Sequence, residues 1–442
     1  MTDLDVAVVG AGIAGLATAY RLSRQGHSVE VFESEGEAGG RMRCGRIDGY
    51  TVDRGAETLA PYGYPATWEL IRELGLESEV HRIRYPVALW RDGRAYPWMG
   101  HPLSLLNRAG LSWSGWVEML KLMSPAMLHP RSVVPEWPEN TPYGEQTLAD
   151  LGKRHGSELV ERMLEPISAS AFGWLPEDST ASPLMAIILA TRGIWRWRTY
   201  RHGQDTMART LADRVTVHLS TRVELVKRDG DGVRLELSDG STLSARAAVL
   251  TLPAPQVLNI HPDAPDDERA FLKACTFTSV MRVACLLDRP LEPTRRRFAP
   301  RLYAALLATG ESPLLVGCTV EHNKCPERAP AGRGLVSLLI SPRRVPEMFD
   351  VPDEQVVEAI VAEGEKLIPG LSDALVGHDV IRWRHALPAA PPQALRLRGD
   401  FVRRPPQPIE YAGDWLFLRP SSEAAIASAR LAAPRIEQLL GR

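Results

Sequence analysis

Lysine is scarce in this chain, supplying six of its 52 Lys and Arg residues. Such a skew toward arginine is what GC-rich coding produces, and by itself it points to no function. Cysteine is sparse too: Cys44, Cys275, Cys285, Cys318 and Cys325 form no C-x-x-C pair. An odd, scattered set excludes a disulfide framework and a thiolate zinc site, and suits reduced thiols in a cytoplasmic protein. No metal site is expected. The net charge is only -2, and no basic stripe is interleaved with aromatics, so nucleic acid is excluded as a partner. No apolar run approaches the ~18–20 residues that span a bilayer. The opening Met1-Thr2-Asp3-Leu4-Asp5 is acidic where a secretion signal would be basic. With 44% hydrophobic and 24% charged residues, the composition is that of a soluble globular protein. Its 442 residues exceed one typical core, so two domains are expected.

Against these absences stands one clear pattern. Val6 to Val9 is a short apolar run that meets glycines at once, as a buried parallel strand does. Gly10-Ala11-Gly12-Ile13-Ala14-Gly15 follows, then helical spacing from Ala14 to Arg24 and a second strand from Ser28 to Phe32. In such a βαβ unit Gly10 permits the tight turn, Gly12 lets the backbone approach a pyrophosphate, and Gly15 lets helix and strand pack closely. The first-turn N–H groups, at Ile13 and Ala14 among others, offer partial positive charge to that phosphate. Glu33 closes the second strand about 20 residues on, where a carboxylate accepts ribose hydroxyls and repels a 2′-phosphate. Gly39-Gly40-Arg41 comes next, adding close backbone approach and a cation for a second phosphate face. This segment favours FAD over NAD. Near the other end, Tyr411-Ala412-Gly413-Asp414 reads as a strand ending in an acid. A helix then opens at Ser421-Ser422-Glu423-Ala424. Its N-terminus, at Ser422 and Ala424, could face a ring carbonyl that gains charge on reduction.

Between these ends the character alternates. Tryptophans, prolines and leucines crowd Trp90 to Leu128, with a helix at Trp113 to Met123. A mainly helical tract runs from Leu148 to Ala190. Strands return at Val215 to Val226, Val233 to Leu237 and Ala247 to Leu252, with an Asp239-Gly240 turn. A helix is expected at Asp353 to Leu367, an extended loop at Pro388 to Pro408, a strand at Ile409 to Tyr411 and a helix from Ser421 to Leu440. The expected fold is α/β: a Rossmann-like FAD-binding domain of residues 1–75, 205–258 and 375–442, with a substrate domain inserted as 76–204 and 259–374. Val223, in the returning strand, joins the expected cofactor contacts.

Together these pieces resemble the flavin-containing amine oxidase superfamily, nearest its protoporphyrinogen oxidase-like branch. Gly49-Tyr50-Thr51-Val52-Asp53-Arg54-Gly55-Ala56-Glu57-Thr58-Leu59 is similar to that branch's segment over the flavin. Leu164-Glu165-Pro166 through Ala171-Phe172-Gly173 and Arg382-Trp383-Arg384-His385-Ala386-Leu387-Pro388 are similar to two further segments, the last beside the ring. The resemblance implies noncovalent FAD in a p-hydroxybenzoate-hydroxylase-type domain and a separate α+β substrate domain. Two departures stand out. The chain continues Ala389-Ala390-Pro391-Pro392 where porphyrinogen oxidases carry an aromatic and a Gly-His pair. Arg282, in Ser279-Val280-Met281-Arg282, stands where monoamine oxidases often carry lysine.

The candidate catalytic residues are therefore Glu57, Arg282, Trp383 and His385. The expected reaction is hydride removal from a bulky, largely apolar small molecule. O2 is the expected oxidant, because no second nucleotide motif serves NAD(P)H. Ring desaturation and amine or amide oxidation lead, in specialised biosynthesis. A true protoporphyrinogen or coproporphyrinogen oxidase, a flavin monoamine or amino-acid oxidase, a redox-silent flavin isomerase and a non-enzymatic binder resembling GDP-dissociation inhibitors are the alternatives. Trp195, Trp197 and the Trp90–Trp116 cluster suit a pocket wall, a homodimer contact or a membrane-surface patch.

Overall fold

The computed structural model describes residues 4–101, 104, 110–193, 196–295 and 298–441. Its first sheet grows around β1 (Leu4–Val9), whose neighbours β2 (Val29–Phe32) and β12 (Thr242–Leu250) both run parallel to it. The order is β10-β11-β12-β1-β2-β9, and β18 (Ile409–Tyr411) also pairs with β12. Here β9 is Thr216–His218, β10 Val223–Asp229 and β11 Gly232–Leu237. The sheet thus draws strands from the start, middle and end of the chain. Val6, Val8, Ala247 and Val249 are fully buried, as strands covered on both faces must be. Helix α1 (Ile13–Arg24) and the last helix, Ser422–Leu440, pack on each other over β1. Ala425, Ala429 and Ala432 on the last helix are small and buried, which permits that close approach.

The second sheet runs β17-β13-β16-β15-β14-β6-β7. Its centre is β13 (Phe277–Leu287), between β16 (Gly334–Ile340) and β17 (Leu375–Pro388); β15 (Leu315–Val320), β14 (Ala304–Leu307), β6 (Val87–Arg91) and β7 (Arg94–Pro97) follow. All its pairings are antiparallel except β14 with β6. Two ribbons complete the frame: β3 (Cys44–Ile47) with β4 (Tyr50–Asp53), and β5 (Val80–Arg82) with β8 (Arg198–Tyr200).

Three expectations need correction. The loop expected at Pro388 to Pro408 contains a helix, Pro392–Arg403. Pro392 lies in its first turn, where the missing N–H has no helical partner anyway. Ala394, Leu395, Arg398 and Phe401 are buried at helical spacing, a period that the flanking prolines mask. The single strand expected over Val215 to Val226 is two, β9 and β10, broken near Ser220, which has a left-handed φ of 51°. The helix expected at Trp113 to Met123 runs on to Leu128 through Pro125. Proline leaves the Lys121 carbonyl without its helical donor, and the Ser124 hydroxyl donates to it at 2.8 Å. Of the tryptophan cluster, Trp90 is buried and Trp113 is 66% exposed, so the cluster forms no single wall. Trp195 lies outside the described residues.

Candidate functional site

The loop after β1 is built by its glycines. Gly10 has φ 102°, and a Cβ on Gly15 would sit 2.0 Å from the Gly10 carbonyl oxygen. A Cβ on Gly12 would meet nothing within 4 Å, so that side of the loop is open. The N-terminus of α1 has no side-chain cap and no acid in its first turn. Its orphan N–H groups therefore remain available to an anion. Glu33 accepts from the Ala11 N–H at 2.8 Å and from the Glu35 N–H at 3.0 Å, which fixes its carboxylate beside the loop. Gly39 and Gly40 pack on the same loop: the Gly39 N–H donates to the Ala11 carbonyl at 2.8 Å. These residues fit a dinucleotide's pyrophosphate and ribose.

Arg41 is committed elsewhere in this structure. Its guanidinium donates to both Asp414 oxygens, at 2.9 and 2.8 Å, and to the Ala386 carbonyl at 2.7 Å. The cation expected to face a phosphate thus ties together three distant segments. Gly413 donates its N–H to Ser428 at 2.8 Å. At the last helix, Ser421 is the N-cap and accepts from the Ala424 N–H at 3.1 Å. That N–H is spent on the cap, leaving Ser422 at the open first turn. Glu423 turns inward and accepts from the Ala66 and Thr67 N–H groups at 2.9 and 2.7 Å. Val223 is buried in β10, opposite Leu237.

The four residues singled out for chemistry do not all meet. Glu57 and Arg282, 225 positions apart, form an ion pair through Arg282 Nη1. Arg282 is only 4% exposed, and its Nη2 is buried without a hydrogen-bond partner. A buried guanidinium normally satisfies all its donors. Part of the Glu57 side chain, 17%, remains exposed. Burial pushes its carboxyl above the usual range, and the nearby Arg282 charge only partly opposes this. Trp383 donates its indole N–H to the Arg54 carbonyl at 2.5 Å, with the Arg43 guanidinium over its ring. This holds Arg54, the residue just before Gly55-Ala56, against β17. His385 packs edge-on to Phe277, and among the described residues no hydrogen bond joins it to Glu57 or Arg282. Burial, with Arg384, lowers its pKa.

Beneath Glu57 lies a cluster that sequence reasoning missed. The buried Lys324 contacts Asp53 at 2.9 Å and also pairs with Glu321, and Arg328 meets Asp53 at 3.0 Å. Burial alone would raise Asp53, but Arg328 and Lys324 outweigh it and hold it at about 2. Gln204 ties this cluster to the site: its N–H donates to Asp53 at 3.0 Å and its amide to the Glu57 carbonyl at 2.6 Å. The available signal was Lys324 itself, one of so few lysines, beside an apolar strand.

The model of the flavin containing amine oxidoreductases matches residues 13–437. The chain belongs to that family. It is 25% identical to the coproporphyrinogen III oxidase of Propionibacterium freudenreichii subsp. freudenreichii, across 86% of this chain and 80% of that protein. To the mitochondrial protoporphyrinogen oxidase of Nicotiana tabacum it is 30% identical, but over 39% of this chain and only 33% of that protein. Among solved structures, a putrescine oxidase variant superposes over 98% of this chain with TM-score 0.80 at 18% identity. A putative protoporphyrinogen oxidase from Exiguobacterium sp. 255-15 covers 100% with TM-score 0.73 at 21% identity. Family member and fold agree on a flavin-dependent oxidoreductase of the α/β FAD-binding fold. Among the described residues no helix is long and apolar enough to cross a membrane.

Proposed function

We propose that this chain is an FAD-dependent oxidase that removes a hydride from a bulky, largely apolar substrate and binds a polar group of that substrate at Glu57 and Arg282. The observation that carries the reading is the buried Arg282 Nη2 without a partner, beside a paired and partly exposed Glu57. A donor so placed has lost its hydration, so a substrate carbonyl or carboxylate accepting from it gains a charge-assisted hydrogen bond of ~1.5–3 kcal/mol. The bound flavin supplies the hydride acceptor. The protein's own residues do the rest. Glu33, the open Gly12 side and the first turn of α1 hold the nucleotide half of FAD. Trp383 fixes the Arg54–Glu57 segment, and Arg282 orients the substrate. Glu57, pushed toward neutrality by burial, exchanges a proton with the substrate. The second sheet and the helical tract of 76–204 form the substrate unit. O2 is the oxidant and specialised biosynthesis the setting.

Purified protein should be yellow, and heat or acid should release intact FAD. Peroxide release should follow from a member of a panel of N-acyl amino compounds, amines and tetrapyrroles. A colourless protein that cannot be reconstituted would sink the reading, as would flavin that remains with the precipitate for its noncovalent part.

A further inference from the structure

Between Asp53 and Leu59 the chain forms neither helix nor strand, so the stretch that carries Glu57 has no ladder of its own to hold it. Its flanks are anchored by the main chain: the Ala56 N–H donates to the Arg41 carbonyl at 2.8 Å, and Leu59 exchanges both hydrogen bonds with Arg198 in β8. Between those anchors, among the described residues, a single hydrogen bond reaches the backbone of Glu57 or Thr58. It is the Gln204 amide, which donates to the Glu57 carbonyl at 2.6 Å. A carbonyl only accepts, so the NH2 end of the amide must face it. The same nitrogen donates to the Thr199 hydroxyl at 3.0 Å.

Gln204 is itself clamped. It is 2% exposed, and its own N–H donates to Asp53 at 3.0 Å. Asp53 is pinned in turn by Lys324 and Arg328, and Arg328 also donates to the Thr199 hydroxyl at 3.0 Å. Next to it, Gly203 has φ 122°, and a Cβ there would stand 2.6 Å from a carboxylate oxygen of Asp205 and 2.8 Å from Cys44 Sγ. Arg46 donates to both Asp205 oxygens, at 2.8 and 3.0 Å, and to the His202 carbonyl at 3.2 Å. The turn of residues 202–205 is thereby fastened to the β3–β4 ribbon. A buried glutamine forfeits up to about 2 kcal/mol of rotamer freedom, and a leucine would fill such a site at lower entropic cost. What glutamine adds is the donor.

Glu57 is thus gripped twice. Arg282, from β13 in the second sheet, holds its carboxylate, and Gln204, from the turn after β8, holds its carbonyl. The other charges close to the carboxylate are those of Glu321, Lys324 and Asp53, members of the same buried cluster that fixes Gln204. Without the second grip the unladdered stretch could shift between its anchors. A displacement of about 1 Å at a reacting group costs on the order of a hundredfold in rate.

We infer that Gln204 is a positioning residue for the proposed reaction: through the Glu57 carbonyl it passes the rigidity of the buried Asp53–Lys324–Arg328 cluster to the carboxylate that meets the substrate. This rests on the function proposed above. Gln204→Met keeps the side chain's length and the N–H bond to Asp53 while removing the amide donor. In flavin-loaded protein carrying carboxyl-13C glutamate, the Glu57 signal is assigned by its loss in Glu57→Gln. It should titrate above the ordinary ~4.3 in the parent and move toward that value in Gln204→Met, as the carboxylate slips toward solvent. With a panel compound that the parent oxidises, Gln204→Met should lower kcat/KM about tenfold or more, and should cost nothing further when Glu57→Gln is already present. Gln204→Glu serves if the methionine variant does not fold. Its protonated carboxyl still donates to the Glu57 carbonyl and its ionised form cannot, so kcat/KM should fall as that carboxyl ionises, and Glu57→Gln should remove the fall. An unmoved Glu57 midpoint overturns the inference. So does an equal loss in the Glu57→Gln background, or a Gln204→Glu profile identical to the parent's. Protein that never holds flavin, or no peroxide from any panel compound, defeats the function proposed above instead, and the Glu57 signal still decides whether Gln204 positions it.

Discussion

Arg282 occupies a position where the choice between arginine and lysine changes the chemistry. A lysine can give up its proton when buried, whereas arginine stays charged at any working pH. With Nη1 held by Glu57 and Nη2 unpaired, Arg282→Met should lower kcat/KM by about tenfold or more, with the flavin spectrum and cofactor affinity nearly unchanged. A cycle with Glu57→Gln should be strongly non-additive; near-normal turnover in Arg282→Met would remove it from the site. Glu57 adds a pH signature. Its carboxyl is raised, chiefly by burial, so a step that needs the carboxylate should accelerate as pH rises through a midpoint above the ordinary ~4.3. Glu57→Gln should erase that limb of the kcat/KM profile. Glu33→Arg should empty the nucleotide site, because the carboxylate that accepts from the Ala11 and Glu35 N–H groups becomes an unpaired cation. Unchanged FAD occupancy after dialysis would show that Glu33 does not reach the ribose.

At the scale of elements, what could be read from the sequence was local. Val6 to Val9 and Gly10 to Gly15 announce a strand, a tight turn and a helix because each requirement falls on neighbouring residues. Asp239-Gly240 likewise marks the turn between β11 and β12, where Gly240 has φ 84°. What escaped depends on distant partners. The helix Pro392–Arg403 is secured through Arg398, which reaches Glu139 and the Leu416 carbonyl, contacts invisible in a proline-flanked stretch. Nor could spacing reveal that Glu57 and Arg282 pair while His385 stands apart, since that follows from β13 lying beside β17 with His385 turned to Phe277. The strand–turn–helix unit makes its own prediction. A Cβ on Gly15 would lie 2.0 Å from the Gly10 carbonyl oxygen and 2.8 Å from the Thr251 hydroxyl. Gly15→Ala should therefore push α1 off β1 and weaken flavin binding, whereas Gly12→Ala, facing open space, should fold normally and lose affinity only through contact with the cofactor. Thermal melts with and without added FAD distinguish the two.

For the whole molecule, the buried Asp53–Lys324–Arg328 cluster joins β4 to the segment after β15. Asp53 is held at about 2, below the ordinary carboxylate range, chiefly by Arg328 and Lys324. Because its pKa is lower folded than unfolded, the stabilisation is complete above the unfolded value and disappears as pH falls from about 4 toward 2. The amount is on the order of 2 kcal/mol. Denaturation midpoints should drop across that window, and Asp53→Asn should flatten the drop while lowering stability at neutral pH. Lys324→Met leaves buried Asp53 and Glu321 short of a cation, at a cost of about 3–5 kcal/mol; a melt unchanged from the parent would show the cluster to be dispensable.

The first sheet also has a consequence for biosynthesis. β1 leaves the ribosome early, yet the strand beyond β12 is Ile409–Tyr411, and the helix that covers α1 is Ser422–Leu440. At ~5–20 residues per second, the nascent βαβ unit waits ~20–80 s for them. Through that interval the part of α1 that packs on the last helix stays uncovered, an invitation to chaperones and a hazard at high expression. Slower induction at lower temperature should raise the soluble yield, and chains released before residue 409 should be recovered mostly as aggregate.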